Sequence, residues 1–223
     1  MKDYIIAISR EYGSGGRDVG KILAEELGLK YFDNEIMHMA AEKSGMCEDF
    51  IEKSSERVPN NFLLNIFRMS LSKPVFGIHS GFNSHVAATS TYEKLNSDKL
   101  FQVQSSIIRE IAEQGRCVIV GRCAAYVLRD NPNLISVFIR GAFEDRVKRA
   151  VETYDRTEKD AAEDVKMIDK HRANYYKTYT NRQWGATDNY DLMVNTSCTG
   201  MYGAASVVKA AVDARTAKNK ETM

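Results

Sequence analysis

The chain is predicted to form an α/β domain whose mainly parallel sheet is flanked by helices. Three observations carry this expectation. Short β-branched apolar runs alternate with stretches of helical periodicity, a glycine-rich turn joins the first run to the first helix, and the residues best suited to chemistry directly follow the strand runs. Strands alternating with helices imply right-handed crossovers and a sheet covered on both faces. Ligands of such sheets bind beyond the carboxyl ends of the strands.

The elements follow in order. Residues 4–9, 29–32, 117–120 and 134–139 read as strands, with 192–195 as a fifth. Residues 19–27 place Val19, Ile22, Leu23 and Leu27 on one helical stripe, and residues 100–113, 143–154 and 202–214 repeat that spacing. Two regions depart from the alternation. Residues 45–96 read as a helical and loop insertion, with a Gly, Ser and Asn-rich loop over 72–85. Its apolar Phe62, Leu63, Ile66, Phe67 and Met69 suit capping a site, docking a second copy of the chain as a homodimer, or packing on the core, and core packing is the commonest fate of such a stripe. Residues 155–188, lying between two strands, read as a lid-like segment that is helical to Lys177 and loop-like around Trp184-Gly185. The polar tail, 213–223, is expected to fray.

Composition narrows the function classes. At 223 residues the chain can bury one substantial core with room for an insertion or lid, so 1–223 is expected to be a single domain. With 43% hydrophobic and 27% charged residues, it lies outside the disordered and fibrous classes. A net charge of +1 offers no electrostatic footprint for nucleic acid, and a small charged substrate fits better. No window approaches the roughly 18 apolar residues of a membrane helix, and Met1-Lys2-Asp3 leads straight into a strand, so neither a membrane nor a signal peptide is expected and the cytoplasm is the expected location. Cys47, Cys117, Cys123 and Cys198 lack zinc or disulfide spacing, and His79 and His85 are poorly spaced for a metal.

The segment Gly13-Ser14-Gly15-Gly16-Arg17-Asp18 follows the first strand and opens the first helix. Glycines allow the backbone to turn its N–H groups toward an anion, and the helix N-terminus adds partial positive charge. Arg17 supplies a mobile full charge. Against G-x-x-x-x-G-K-[ST], no glycine opens the loop and Gly16-Arg17-Asp18 stands in place of Gly-Lys-Ser/Thr, so this is a degenerate P-loop. Two other readings stand beside it. Gly13-x-Gly15 with Asp33 about twenty residues on suggests a dinucleotide fingerprint, but Asp18 occupies the third glycine's place. A plain structural turn would not need this density of glycine, serine and arginine.

The stretch Val118-Ile-Val-Gly121-Arg122-Cys123, continuing through Asp130-Asn-Pro132 to the strand ending at Ile139, resembles the cytidylate kinase-like family, a divergent branch of the P-loop nucleoside monophosphate kinases. The resemblance covers most of the chain outside 45–96. It implies a three-layer P-loop kinase architecture with a lid, ATP and Mg2+ as cofactors, and a small phosphorylated substrate. Arg122 would hold the acceptor monophosphate, while Cys123 replaces the aspartate of a Gly-Arg-Asp turn. Tyr31-Phe32-Asp33-Asn34-Glu35 is similar to the second strand and its Asp-Ser-Gly turn, which makes Asp33 a candidate substrate-binding residue. Asp169-Lys170-His171-Arg172 is similar to the basic lid segment, which makes Lys170 and Arg172 candidate catalytic cations beside Arg17.

Physical argument points the same way, since phosphoryl transfer needs in-line positioning and cations around the moving group rather than covalent help. Asp18 stands where the metal-side Ser or Thr of a P-loop would be; it could ligate magnesium or cap its helix as a first-turn acid. Two functions follow. One is an ATP-dependent phosphotransferase acting on a cytidylate-like nucleoside monophosphate or a related small phosphorylated acceptor. The other is a nucleotide-binding regulatory module whose altered loop does not turn over.

Overall fold

The computed structural model describes residues 4–44 and 85–221. Residues 45–84, which carry most of the 45–96 insertion, the Phe62 to Met69 stripe and the second-copy surface expected there, lie outside the described residues. The described chain falls into two compact units, one formed by residues up to 34 and from 108 onward, the other by residues 35–107.

The first unit is built on five parallel strands in the order β2-β3-β1-β4-β5. These are β1 (Ile5–Arg10), β2 (Lys30–Phe32), β3 (Cys117–Val120), β4 (Leu134–Arg140) and β5 (Leu192–Asn195). The central β1 is buried along nearly its whole length, with Ile5, Ile6, Ala7 and Ile8 at most 1% exposed. That burial explains an apolar run without alternation, since both faces of a parallel sheet are covered. Helix α1 (Gly16–Leu27) lies on one face. Its Val19, Leu23 and Ala24 join Ile6, Ile8, Val118, Val137 and Ile139 and the Ala204, Ala205, Val208 and Val212 stripe of the C-terminal helix in one core. Each Val, Leu or Ile among them contributes about 1.5–3 kcal/mol when fully buried.

In the second unit are α2 (Glu35–Ser44) and most of α3 (His85–Glu113), where Gln104 Nε2 lies 2.9 Å from Met37 Sδ. The sequence pattern starts α3 at about residue 100, but the helix begins at His85 and so absorbs the end of the Gly, Ser and Asn-rich stretch. The intervening residues lack an apolar stripe, which is why periodicity did not reveal them.

Back in the first unit, a single turn, α4 (Ala124–Val127), follows β3 and lies on β1 and β4. Helices α5 (Phe143–Tyr154) and α6 (Glu158–Thr180) then form a hairpin. Thr157 caps α6 by accepting a hydrogen bond from the Asp160 N–H at 3.2 Å, and Asn181 ends the helix in the left-handed region at φ 54°. The hairpin's Val147, Ala150, Ala161 and Val165 pack around Tyr12, which precedes the glycine loop. Beyond α6 the ring of Phe138 receives Trp184 and Tyr190 at centroid distances of 5.2 and 5.0 Å. The segment 155–188, read from sequence as lid-like, is therefore one long helix followed by a loop packed on β4. Helix α7 (Thr196–Glu221), kinked at Gly200, extends through the polar residues expected to fray. Among the described residues no helix is long and apolar enough to cross a membrane.

Candidate active site

All the strands run the same way, so the carboxyl ends of β1, β2, β3 and β4 share one edge, and the segments that follow them meet there. The glycine loop leaves β1. Gly13 and Gly15 both adopt φ 75°, and Gly15 caps α1 with no side-chain hydrogen bond. The first N–H groups of α1 have no acceptor within the helix, so this start presents donors and the positive end of the dipole to an anion. Ser14 is 1% exposed and its hydroxyl donates to the Glu11 carbonyl at 2.8 Å. Asp18 is exposed in the first turn of α1.

The loop is fastened from behind by residues remote in sequence. Asp169 Oδ1 on α6 accepts the Tyr12 N–H at 2.7 Å, while Arg146 Nη1 on α5 donates to the Tyr12 carbonyl at 3.2 Å and pairs with Asp169 Oδ2. Glu11 Oε2 accepts the Gly141 N–H at 3.0 Å and lies 3.5 Å from Arg146 Nε. Thr196 donates to the carbonyls of Ser14 and Arg140 at 2.8 and 3.0 Å. Gly13 is required here twice over, because its φ is left-handed and a Cβ would collide with the Arg146 carbonyl.

Four arginines surround the front of this loop. Arg17 Nε pairs with Asp33 Oδ2 at 2.7 Å and its Nη2 donates to Asn34 Oδ1 at 3.3 Å. Arg10 Nη2 lies 3.7 Å from Asp33 Oδ1. Arg172 Nη1 donates to the Arg10 carbonyl at 2.9 Å, and its guanidinium lies 5.8 Å from the centre of the Tyr12 ring. Arg122 projects from three consecutive left-handed residues, Gly121, Arg122 and Cys123, with φ 83°, 54° and 55°. Non-glycine residues rarely adopt this conformation, and such strain gathers at functional sites.

The charge is incompletely balanced. Burial, and then repulsion from Arg172, push the Arg10 pKa well below its ordinary value, with Asp33 opposing. Burial also lowers Arg122, with Tyr175 and Asp33 opposing and Arg17 lowering it further. Arg172 falls to about 10 through burial, with Asp169 opposing and Arg17 adding to the depression. Arginine stays protonated near neutral pH, so these directions mark positive charge held with too little negative charge around it. Such an edge suits a polyanion.

Of the residues singled out from sequence, Gly13, Ser14, Gly15, Gly16, Arg17, Asp18, Asp33, Arg122 and Arg172 lie on this edge or in its loop. Lys170 is exposed on α6. The carboxylate of Asp33 faces two arginines rather than standing open to solvent, with 8% of its side chain exposed. Sequence reasoning overlooked Arg10, the polar last residue of an apolar strand, whose signal was an arginine immediately before a glycine loop. It also overlooked Arg146 and Thr196, which reach the loop only through the fold.

A model of the cytidylate kinase-like family matches residues 5–198. The chain is similar to a cytidylate kinase of Pseudothermotoga lettingae, at 23% identity over 180 residues spanning 76% of this chain and 78% of that protein. Among solved structures, an uncharacterized protein from Eubacterium ventriosum is 26% identical with a TM-score of 0.64, covering 94% of this chain and 98% of that one. A gluconokinase from Sinorhizobium meliloti has 15% identity and a TM-score of 0.53, with 99% and 97% of the two chains covered. A shikimate kinase from Bacteroides thetaiotaomicron has 10% identity and a TM-score of 0.50, with 94% and 98% covered. These two likenesses concern the fold alone. The match over residues 5–198 shows that the chain belongs to the cytidylate kinase-like family, and that membership supports a kinase-type activity on a nucleotide or small molecule.

Proposed function

We propose that the protein transfers the γ-phosphoryl group of ATP to a small phosphorylated acceptor, a nucleoside monophosphate of the cytidylate kind or a close relative. The observation that carries this reading is the convergence of Arg10, Arg17, Arg122 and Arg172 beside the uncapped start of α1, with Asp33 between two of them. A single bound nucleotide needs cations along one phosphate chain, whereas cations on separate strand ends suit two ligands brought head to head.

In this reading Gly13 to Asp18 hold the donor phosphates, and Arg17 exchanges its contact with Asp33 for them. Arg122 binds the acceptor phosphate, its planar fork matching two oxygens. Arg172 adds charge near the transferring group, and Lys170 reaches it only if α6 moves. An acceptor phosphate oxygen forms a bond to the γ-phosphorus while the bond from that phosphorus to the β–γ bridging oxygen breaks. The electron pair stays on the departing ADP, and a dianionic acceptor has no proton to lose. Magnesium usually keeps several waters and takes few protein ligands, and Asp18, the acid in the first turn of α1, would be the residue to hold it. When bound, it neutralises charge on the donor phosphates.

A coupled assay with ATP, magnesium and a panel of CMP, dCMP, UMP, AMP and non-nucleotide phosphorylated acceptors tests the proposal. ADP release that depends on one acceptor class supports it. Tight ATP binding with no acceptor-dependent turnover would favour a regulatory nucleotide-binding module, the reading to which the missing P-loop lysine gives weight.

A further inference from the structure

Arg10 has no part in the assignments drawn from sequence, yet two glycines are placed around it. A Cβ on Gly16, the first residue of α1, would lie 2.5 Å from Arg10 Cβ and 3.0 Å from its Cγ. A Cβ on Gly121, the residue before Arg122, would collide with Arg10 Nη1 and lie 3.0 Å from Cζ. The stem therefore passes the glycine loop and the guanidinium lies against the end of β3. Arg10 thus spans the interval between the donor cradle and the arginine assigned to the acceptor. Only 13% of its side chain is exposed, and Nε is buried without a hydrogen-bond partner. Its carboxylate neighbour, Asp33, stands at 3.7 Å, beyond hydrogen-bond length, and bonds Arg17 more closely at 2.7 Å.

We propose that Arg10 is a catalytic residue whose guanidinium contacts the phosphoryl group in transit between donor and acceptor. The inference rests on the phosphotransferase reading above. A phosphoryl group in flight carries charge on its three equatorial oxygens, and a preorganised cation between the two sites meets that charge where it develops. A largely buried guanidinium whose carboxylate neighbour stands beyond hydrogen-bond length is suited to receive such an anion, and burial, then repulsion from Arg172, already lowers its pKa. Asp33 then acts as a positioning residue, holding Arg10 and Arg17 apart and aimed before the anion arrives.

The test is calorimetric binding of ADP and of adenosine 5′-tetraphosphate, whose chain runs past the β-phosphate into the transfer position, to the full chain and to Arg10→Gln. Gln retains a stem that fits between the two glycines. The proposal predicts that Arg10→Gln weakens the tetraphosphate about 10- to 100-fold, the range for losing a hydrogen bond to a charged group, while ADP affinity changes less than about threefold. Equal weakening of both ligands would make Arg10 a ground-state or folding residue, and unchanged tetraphosphate affinity would remove it from the site; either overturns the proposal. If thermal melting shows that Arg10→Gln does not fold, Arg10→Lys, which keeps charge and loses the fork, carries the test with a smaller loss in the same ligand only. Failure of the phosphotransferase reading is separately visible. It leaves the original chain with no acceptor-dependent turnover in the coupled assay, whatever the tetraphosphate binding shows.

Discussion

Asp169 Oδ1 accepts the Tyr12 N–H at 2.7 Å, so the middle of α6 holds the peptide immediately before the glycine loop. The same carboxylate pairs with Arg146, which donates to the carbonyl of that same tyrosine. Both backbone polar groups of Tyr12 are thus satisfied by the α5–α6 hairpin, which fixes the entry to the glycine loop. Asp169→Ala is expected to destabilise the fold by about 2 kcal/mol, because a buried N–H and a guanidinium lose their acceptor. Asp169→Asn keeps an acceptor and should recover part of that loss. Urea unfolding of the two variants checks this; equal stabilities, both near the original, would contradict it.

The glycines separate into two kinds. Gly28 adopts φ 61° in open space, so Gly28→Ala should cost only the left-handed backbone penalty of about 1–2 kcal/mol. Gly13→Ala adds a collision with the backbone carbonyl of Arg146, which no side-chain rotation relieves, and should cost about 1–3 kcal/mol more. Thermal melting of the pair decides; similar losses would mean that Arg146 moves freely.

Much of the fold was legible in sequence because its signals are local. β3 and β5 carry their bounds in short apolar runs and α5 in its helical periodicity, signals that tertiary packing did not override. The glycine loop announced itself through composition. What was not legible depends on long-range closure: the Tyr12 and Asp169 contact joins residues 157 positions apart, and Thr196 reaches the Ser14 carbonyl across 182. Arg172 was singled out as a lid cation by resemblance, but its bond to the Arg10 carbonyl follows only from the placement of α6 beside β1. The start of α3 was hidden by polar residues without helical periodicity.

Crowded arginines make anion binding stabilising. Arg172, lowered to about 10 chiefly by burial, destabilises the folded state while it is charged in both states, below that pH, and the penalty recedes as the pH rises through about 10. An anion relieves the same strain near pH 7. Pyrophosphate at about one hundred times its Kd should therefore stabilise the chain by about 2.7 kcal/mol. Melting in pyrophosphate and in potassium chloride of equal ionic strength checks this, and matching curves would contradict an anion site.

Acceptor choice should depart from strict cytidylate selectivity. Asn34 receives a bond from Arg17, and buried Cys123, its thiol pushed up to about 12 by burial, offers no carboxylate where the resembled kinases carry an aspartate. Losing a polar group that meets the substrate reduces discrimination by orders of magnitude. CMP is therefore expected to be a poor or unselective acceptor; kcat/KM of roughly 10⁵ M⁻¹s⁻¹ or more for CMP alone would refute this.

The central claim is that donor and acceptor phosphates are held by different arginines, Arg17 at the start of α1 and Arg122 after β3. Steady-state kinetics of Arg17→Ala and Arg122→Lys, with ATP and the best acceptor varied in turn, test it most directly. Arg17→Ala should raise the KM for ATP or lower turnover by about tenfold or more while the acceptor KM stays within about threefold, and Arg122→Lys should raise the acceptor KM with little effect on that for ATP. If both variants shift both substrates alike, or Arg122→Lys leaves the acceptor KM unchanged, the two-site account is wrong.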